Sequence, residues 1–268
     1  MRMPNDRPIG LLYPGEMGSA VGQCLVQRGY IVLWASRDRS PQTAARARAA
    51  GLADAGTASA IAGQAGVIIS VCPPHAALDV ARSVRGFRGT YVDANAVSPQ
   101  TAREAARIVE DGGATYVDGG IIGPPPGTAG STRLYLSGPA AYLVRDLFDG
   151  TALDARLVAG DAWSASSVKM AYAAWTKGSA ALLLAVRALA DARGVSDSLL
   201  DEWTLSQPGL QARSDGAARS ALSKGWRWTA EMDEIAATMA AAGLPDGFHR
   251  AAAEVFRRYP RTSPDGTE

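Results

Sequence analysis

Short apolar runs alternate with helix-like stretches through the first 160 residues. The apolar runs are rich in Val, Ile and Tyr and end at Gly, Pro or polar residues, a pattern typical of strands; they read PIGLLY, YIVLWAS, GVIISV, TYVDAN, TYVDGGII and RLYLSG. The stretches between them carry apolar residues at helical spacing, and three of the four open on Ser or on a Pro-containing start; they read MGSAVGQCLVQRG, SPQTAARARAAG, HAALDVARSVRG and SPQTAREAARIVEDGG. Strands that alternate with helices predict a parallel sheet covered on both faces.

The pattern changes near Gly160, after which only helical periodicity remains. The next segment has no proline, is rich in alanine and is apolar almost all round, so it predicts a long helix, Trp163–Arg193, buried over most of its surface. Further helices are predicted at Ser196–Ser206, Leu210–Lys224, Trp228–Ala242 and Asp246–Tyr259, and the tail PRTSPDGTE is predicted to be disordered. We therefore expect an α/β domain in residues 1–160 and an all-α domain in residues 161–268, joined by a long interdomain helix.

Composition excludes several classes of function. The net charge is +1, from 27 basic and 26 acidic residues, which argues against a surface built for nucleic acid. No apolar run approaches the length that spans a bilayer, and the opening MRMPNDRP has no apolar signal region. Cys24 and Cys72 are predicted to be buried free thiols, and two histidines make a histidine-built metal site improbable. We expect a soluble cytoplasmic protein whose partner is a small molecule, not a nucleic acid or a membrane.

The stretch IGLLYPGEMGSAVG places a glycine-rich turn between the first strand and the first helix. It resembles the G-x-G-x-x-G turn that holds a dinucleotide pyrophosphate, with Gly15 and Gly18 at the second and third glycines and Tyr13 at the first. Pro14 can pre-set a tight turn because its ring fixes φ. The backbone N–H groups of Gly15, Glu16, Met17 and Gly18 would then point toward an anion. The alternative is a glycine-rich loop without a ligand.

The end of the second strand bears on the choice of cofactor. Enzymes that prefer NAD place Asp or Glu there to hold the ribose 2′-hydroxyl, but this strand ends in WASRDRS. Ser36, Arg37 and Arg39 supply a hydroxyl and two guanidinium groups, which suit a 2′-phosphate. We therefore predict NADP(H), with NAD(H) as the other possibility. The alternative is a solvated loop in which Asp38 pairs with the neighbouring arginines.

Taken together, these motifs resemble the β-hydroxyacid dehydrogenase and 6-phosphogluconate dehydrogenase superfamily, over most of the chain. The G-x-M-G segment of the family's Rossmann-type domain is matched at Gly15–Gly18, and its proline-bearing loop along the cofactor is matched by SVCPPH, which contains Val71, Cys72 and Pro73. The resemblance implies that Asn95 lies near the nicotinamide ribose. The family's catalytic lysine, early in the interdomain helix, is matched by Lys169 in SSVKMAYAAW.

Two departures from the family pattern concern the substrate. The family's substrate loop, D-x-P-V-S-G-G, is matched by DGGIIGP, so its carboxylate-binding serine is Ile122 here. The family's asparagine one turn after the lysine is Ala173. The resemblance therefore implies a larger and less polar substrate than a short hydroxyacid; the predicted substrate-binding residues are Ile121, Ile122, Gly123, Pro124 and Trp175. The alternative for Trp175, and for Tyr172, is packing in the core.

The combined interpretation is an NADP-dependent dehydrogenase or reductase in which Lys169 moves a proton and Tyr172 is the next candidate. A small, apolar environment around the lysine would lower its pKa toward useful values; the alternative is a surface lysine with a buried stem. An imine reductase or reductive aminase and a non-catalytic nucleotide-binding regulatory protein are the rival functions. The chain is more specifically similar to an NADP-binding subgroup whose C-terminal domain has no assigned function. The apolar interdomain helix, together with the resemblance, predicts a homodimer.

Overall fold

The computed structural model describes residues 7–260, so the first residues and nearly all of the tail predicted to be disordered lie outside it. The strands are β1 Ile9–Leu12, β2 Val32–Trp34, β3 Ala53–Asp54, β4 Val67–Ser70, β5 Thr90–Asp93, β6 Thr115–Ile122, β7 Thr132–Ser137 and β8 Leu153–Leu157. The helices are α1 Glu16–Gln27, α2 Pro41–Ala49, α3 Ala58–Gln64, α4 Ala77–Ser83, α5 Pro99–Glu110, α6 Ala141–Leu147, α7 Ser164–Arg193, α8 Ser196–Ser206, α9 Leu210–Ala241 and α10 Gly247–Arg257. An α/β region followed by helices alone confirms the predicted fold class.

The eight strands form one sheet in the order β3-β2-β1-β4-β5-β6-β7-β8. The chain crosses from one half of the sheet to the other between β3 and β4, so β1 and β4 flank the point at which the strand order reverses. Ligands of such sheets bind outside the carboxyl ends of the strands at this point. The predicted parallel sheet is confirmed with one exception: β6 and β7 pair antiparallel, while β7 and β8 pair parallel.

Both faces of the sheet are buried, as the alternating pattern predicts. In β1, Ile9 and Leu11 belong to one core cluster and Leu12 to the other. Successive strand side chains point to opposite faces, so one strand supplies both cores. The two Ser-Pro starts also form as predicted, because the Ser40 and Ser98 hydroxyls accept hydrogen bonds from backbone N–H groups in the first turns of α2 and α5.

The chain divides into two compact units, Met1–Lys169 and Met170–Glu268, and the division falls within α7. The predicted domain boundary at residue 160 stays a prediction. None of the helices among residues 7–260 combines the length and the apolarity that crossing a membrane requires.

One long helix replaces two predicted ones in the second unit. The segments Leu210–Lys224 and Trp228–Ala242 belong to a single helix, α9. Gly225 lies inside this helix and does not end it. A Cβ at Gly225 would lie 3.1 Å from the Cβ of Tyr259, so this glycine allows a close approach of α9 to the chain just after α10. Nearby, the rings of Trp228 and Phe256 meet edge to face with centroids 5.1 Å apart, a favoured aromatic geometry.

Two consecutive glycines in β6 allow close packing, Gly120 against the start of α7 and Gly119 against the end of β5. A Cβ added at Gly120 would lie 2.8 Å from the Cβ of Lys169 and 2.9 Å from the carbonyl oxygen of Ala165. A Cβ at Gly119 would lie 2.9 Å from the carbonyl oxygen of Asp93. The first turn of α7 therefore packs against β6 at a distance that excludes any side chain on Gly120.

We expect Gly120→Ala to lower the free energy of unfolding by about 1–3 kcal/mol, because the added methyl group overpacks against backbone atoms that cannot rotate away. Gly127→Ala is the matched control, since a Cβ there has no heavy atom within 4 Å. Thermal and urea unfolding of both variants check the prediction. Equal stability of the two variants would contradict the close packing of α7 on β6.

Candidate active site

The turn after β1 is built around a tyrosine in the left-handed conformation. Tyr13 has φ 71°, at the position where the dinucleotide fingerprint has its turn glycine. The N–H of Gly15 donates to the carbonyl of Tyr13 at 2.8 Å, so the two residues close a three-residue turn centred on the buried Pro14. A Cβ at Gly18 would lie 2.4 Å from that same carbonyl oxygen. Gly18 therefore serves close packing of α1, as the third glycine of the fingerprint does.

The space beside Gly15 fits the anionic part of a dinucleotide. An added Cβ at Gly15 would meet no heavy atom within 4 Å, and Gly15 caps α1 without a side-chain hydrogen bond. The amides of Met17 and Gly18 lie in the first turn of a 12-residue helix, where helix geometry provides no intrahelical acceptor. These amides and the helix dipole favour negative charge. The residues present at this turn therefore suit a pyrophosphate.

The loop after β2 carries the predicted 2′-phosphate residues. Arg37 is exposed and Arg39 is half-buried, and the Arg39 guanidinium carbon lies 3.9 Å from the centroid of the Tyr13 ring. Ser36 instead contacts Asp54 at the end of β3; the pKa of that carboxyl is lowered by hydrogen bonds, first from the Gly56 N–H and then from the Ser36 hydroxyl. Arg39 is thus joined to the turn after β1, and Ser36 to β3.

A buried amide links the ends of β4 and β5. The Asn95 Oδ1 atom accepts from the N–H of Cys72 at 2.6 Å, and its Nδ2 atom donates to the Ser70 hydroxyl at 3.1 Å. Asn95 is 2% exposed. Through these two hydrogen bonds, the side-chain amide of Asn95 holds the loop that contains the half-buried Val71 and the exposed Pro73. The Cβ of Val71 lies 3.6 Å from the Cβ position of Gly18, so this loop borders the turn after β1.

The thiol in this loop is structural. Cys72 is buried, and burial raises the pKa of its thiol to about 12. A thiol with such a pKa stays protonated and is a poor nucleophile. Cys24 is buried as well, so the prediction of buried free thiols is confirmed.

Two buried carboxyl groups face each other across β5 and β6. Asp93 and Asp118 are paired in register, and each is 1% exposed. Burial, and then the neighbouring charge of Asp118, raise the pKa of Asp93 to about 7, against the opposing effect of the Asn95 N–H. Burial also raises the pKa of Asp118, although hydrogen bonds from Ser166 oppose that shift.

Asp118 caps the first turn of α7 from a neighbouring strand. Its Oδ2 atom accepts from the backbone N–H of Ser166 at 2.8 Å, and its Oδ1 atom accepts from the Ser166 hydroxyl. The Ser137 hydroxyl lies 3.1 Å from Oδ2 of Asp118 and accepts from the N–H of Ala165 at 3.0 Å. Strands β6 and β7 therefore satisfy the N–H groups that the start of a helix leaves without partners.

Lys169 lies on this anchored turn and reaches the end of β6. Its Nζ atom donates to the carbonyl of Ile121 at 2.9 Å, and its side chain is partly buried. Ile121 and Ile122 are 6% and 3% exposed, and the Ile121 side chain packs in the core of the first unit. Gly123 and Pro124, which follow, are exposed. The backbone at Ile121 is therefore the part of the predicted substrate segment that Lys169 contacts.

The two predicted aromatic residues of α7 lie further along this helix. Tyr172 is 48% exposed and Trp175 is 66% exposed. Neither ring is buried in the chain, so the alternative of core packing is wrong for both. Their predicted roles stay predictions.

Several residues of the site were not found by sequence reasoning. Asp118, Ser137 and Ser166 build the cap of α7 from three separate elements, and Asp54 ends a strand of only two residues. The Asp118–Ser166 contact joins residues 48 positions apart, which no local pattern shows. One usable signal was present: SAS before a long apolar helix is a capping composition.

Comparisons with known proteins agree with this geometry. Residues 8–149, more than half of the chain, match the NAD binding domain of 6-phosphogluconate dehydrogenase, and residues 190–259 match a domain of unknown function, DUF1932. A solved structure of a conserved protein of unknown function, described as similar to 3-hydroxyacid dehydrogenases, is 26% identical with a TM-score of 0.68; the match covers 94% of this chain and 96% of that one. No curated protein matches the chain.

Two further solved structures, both below 25% identity, share the fold. The 3-hydroxyisobutyrate dehydrogenase of Mycobacterium tuberculosis is 20% identical with a TM-score of 0.71, over 94% of this chain and 93% of that one. A reductive aminase of Aspergillus terreus, in complex with NADPH and ethyl levulinate, is 21% identical with a TM-score of 0.60, over 94% and 93%. Because the matched domain covers more than half of the chain, the chain belongs to the family defined by the NAD binding domain of 6-phosphogluconate dehydrogenase and is an NAD(P)-dependent dehydrogenase or reductase.

Proposed function

We propose that the protein is an NADP-dependent oxidoreductase that interconverts a hydroxyl and a carbonyl group in a substrate bulkier and less polar than a short hydroxyacid. The observation that carries the proposal is the position of Lys169. Its ammonium group lies 2.9 Å from the carbonyl oxygen at the end of β6, on a helix turn anchored by a buried carboxylate. A proton donor fixed at the carboxyl edge of the sheet is what carbonyl reduction requires.

The cofactor would be held by the first unit alone. The Pro14–Gly18 turn would bind the pyrophosphate, Arg37 and Arg39 the 2′-phosphate, and the Val71–Pro73 loop and Asn95 would border the remainder. When bound, a nicotinamide supplies or accepts the hydride. The protein contributes binding, orientation and proton transfer.

Lys169 would hold the proton at its Nζ atom. In reduction it would donate that proton to the oxygen of the substrate, and in oxidation it would remove it. The hydrogen bond to the Ile121 carbonyl orients the ammonium group and uses one of its three hydrogens. Tyr172, one turn later on α7, is the second candidate for this role.

The proposed substrate class follows from two polar side chains that the site lacks. Ile122 and Ala173 stand where the family resemblance implies a serine and an asparagine. Without these two polar groups, a short hydroxyacid would lose hydrogen bonds to its carboxylate, while an apolar substrate would lose nothing. We propose that the exposed Gly123–Pro124 segment contacts the larger substrate.

Reduction of a carbon–nitrogen double bond is the second candidate, because the reductive aminase with this fold carries out chemistry of that kind in the same architecture. Lys169 favours the carbonyl reaction, since the family resemblance implies that relatives with imine activity usually lack a lysine at this position. Oxidation of NADPH with a panel of carbonyl compounds, compared with a panel of cyclic imines, separates the two. Binding of NADPH without turnover on either panel would favour a regulatory protein.

We further propose a cytoplasmic homodimer in which α7 packs against a partner. Tyr172, Trp175, Leu182 and Leu189 are all exposed on this helix, at 48%, 66%, 50% and 61%. Large apolar side chains that recur along one helix mark a surface that is covered in the assembled protein.

The first prediction concerns the choice of cofactor. Arg37→Ala should weaken NADPH binding by roughly 10- to 100-fold, because a charge-assisted hydrogen bond contributes about 1.5–3 kcal/mol. Binding of NADH, which has no 2′-phosphate, should change little. Isothermal titration calorimetry with both cofactors checks this.

Arg48→Ala is the matched control, since Arg48 is an exposed arginine in the last turn of α2 and its loss changes the net charge equally. Equal losses for NADPH and NADH in Arg37→Ala would contradict the 2′-phosphate assignment.

The second prediction tests proton transfer. Lys169→Met keeps the length and apolar packing of the stem but removes the proton, so kcat on the substrate found in the panels should fall by about 10²- to 10⁴-fold. The affinity for NADPH and the melting temperature should remain close to those of the parent, because the cofactor turn is built by other residues.

Lys224→Met is the control, because Lys224 is an exposed lysine on α9. A kcat for Lys169→Met within about threefold of the parent would remove Lys169 as the acid and make Tyr172→Phe the next variant to measure. A lowered melting temperature with an unchanged rate would indicate a structural lysine.

The third prediction concerns assembly. The parent should run as a dimer at micromolar concentration in light scattering, and a variant carrying both Leu182→Glu and Leu189→Glu should run as a monomer, because dimerisation would bury unpaired carboxylates. Ile31→Glu, at an equally exposed position of the first unit, should remain dimeric. A monomeric parent protein would contradict the proposal.

A further inference from the structure

The most strained positions of the backbone lie in two adjacent loops of the cofactor-binding edge. Among the described residues, the non-glycine residues with positive φ are Tyr13, at 71°, and Asp38, at 60°. A residue with a Cβ costs about 1–2 kcal/mol in this region, and a tyrosine has no local hydrogen bond that would compensate. Pro14 restricts its predecessor further. Strain that persists at a ligand-binding edge indicates that the side chain serves a function.

Glycine would take the conformation of Tyr13 without this cost. The conformation itself is fixed by the turn, because the Tyr13 carbonyl accepts from the Gly15 N–H at 2.8 Å and lies against the Cα of Gly18. The turn thus specifies the backbone, whichever residue occupies the position. What glycine could not supply is the ring.

The ring packs against the core cluster that contains Leu12, and its charged neighbour is the guanidinium of Arg39. The guanidinium carbon lies 3.9 Å from the ring centroid, well inside the distance for a cation–π contact. The left-handed Asp38 and the hydrogen bond from the Arg39 N–H to the Ser36 carbonyl, at 3.1 Å, turn the loop so that Arg39 returns over the ring. Both strained residues therefore serve the same contact.

We propose that Tyr13 is a specificity-determining residue that holds Arg39 in position for the 2′-phosphate of NADPH; this inference rests on the proposed preference for NADP. Stacking uses the face of the guanidinium and leaves the N–H groups at its edge available to phosphate oxygens. A guanidinium held in this way loses less side-chain freedom on binding. Tyr13 acts through Arg39 and is a positioning residue.

The test measures dissociation constants of NADPH and NADH by calorimetry and uses their ratio as the readout. Tyr13→Gly should lower the preference for NADPH by about 3- to 30-fold, the range expected for loss of a cation–π contact. Binding of NADH should change little. The melting temperature is not used as a readout, because relief of backbone strain and loss of the packing of the ring on the core act in opposite directions. Tyr13→Phe keeps the ring and should retain the parent ratio. Arg103→Ala, which removes a guanidinium 5.5 Å from the ring of Trp163, is a control for loss of a similar contact elsewhere.

Arg39→Ala and the double variant separate this inference from the proposal on which it rests. If Arg39→Ala lowers the ratio and Tyr13→Gly adds nothing in its presence, the two residues act as one unit. If Arg39→Ala lowers the ratio but Tyr13→Gly alone does not, the role of Tyr13 is overturned and the NADP assignment stands. If Arg39→Ala leaves the ratio unchanged, the role of Tyr13 is overturned, and the NADP assignment then depends on the ratio of the parent and on Arg37→Ala. Equal weakening of NADPH and NADH in Tyr13→Gly would show a general role in the turn and would also overturn the inference.

Discussion

The geometry of the candidate site depends on one buried interaction, the capping of α7 by the carboxylate of Asp118. A helix start presents N–H groups without intrahelical partners, and this start is buried against β6, where water cannot satisfy them. Asp118 supplies the acceptor for Ser166 from the strand itself. Because the cap comes from the sheet, it fixes where the helix begins and how it is rotated. Lys169 lies less than one turn later, so the cap also fixes the position of this lysine.

Steric fit and aromatic packing support the same interaction. Gly120 leaves room for the helix backbone, and Trp163, immediately before α7, packs on Tyr116 of β6 with ring centroids 5.7 Å apart. The cofactor turn, by contrast, depends on local backbone geometry at Tyr13–Gly15. The first unit therefore builds its two chemical elements by different means, one from the closure of a short turn and the other from a long-range cap.

Sequence patterns predicted the elements that are long or that carry their own end signals. Strand β1, the Ser-Pro starts of α2 and α5, and helix α8, which begins and ends at the predicted residues, are of this kind. The strands β3 and β8 were missed, the first because two residues carry no periodicity, and the antiparallel pairing of β7 was missed because pairing direction depends on tertiary contacts. The predicted break between Lys224 and Trp228 contains Gly225. A glycine that permits close packing and one that ends a helix cannot be told apart in sequence. At the site, the motif residues were identifiable, but the left-handed Tyr13 and the cap by Asp118 arise from contacts that local composition does not encode.

Burial of Asp93, and then the neighbouring charge of Asp118, couple the folded state to the protonation of one carboxyl group. The pKa of Asp93 is about 7 in the folded protein and has an ordinary value of 3.8 without burial. Between these values Asp93 retains a proton in the folded chain that it has released in the unfolded chain, so folding takes up a proton at weakly acidic pH. The contribution of this carboxyl to stability is therefore fully present in acid and is lost as the pH rises toward 7. Most carboxylates that are paired in a folded protein make it less stable in acid. The buried Asp93 has the opposite effect, because its protonated form favours the folded state.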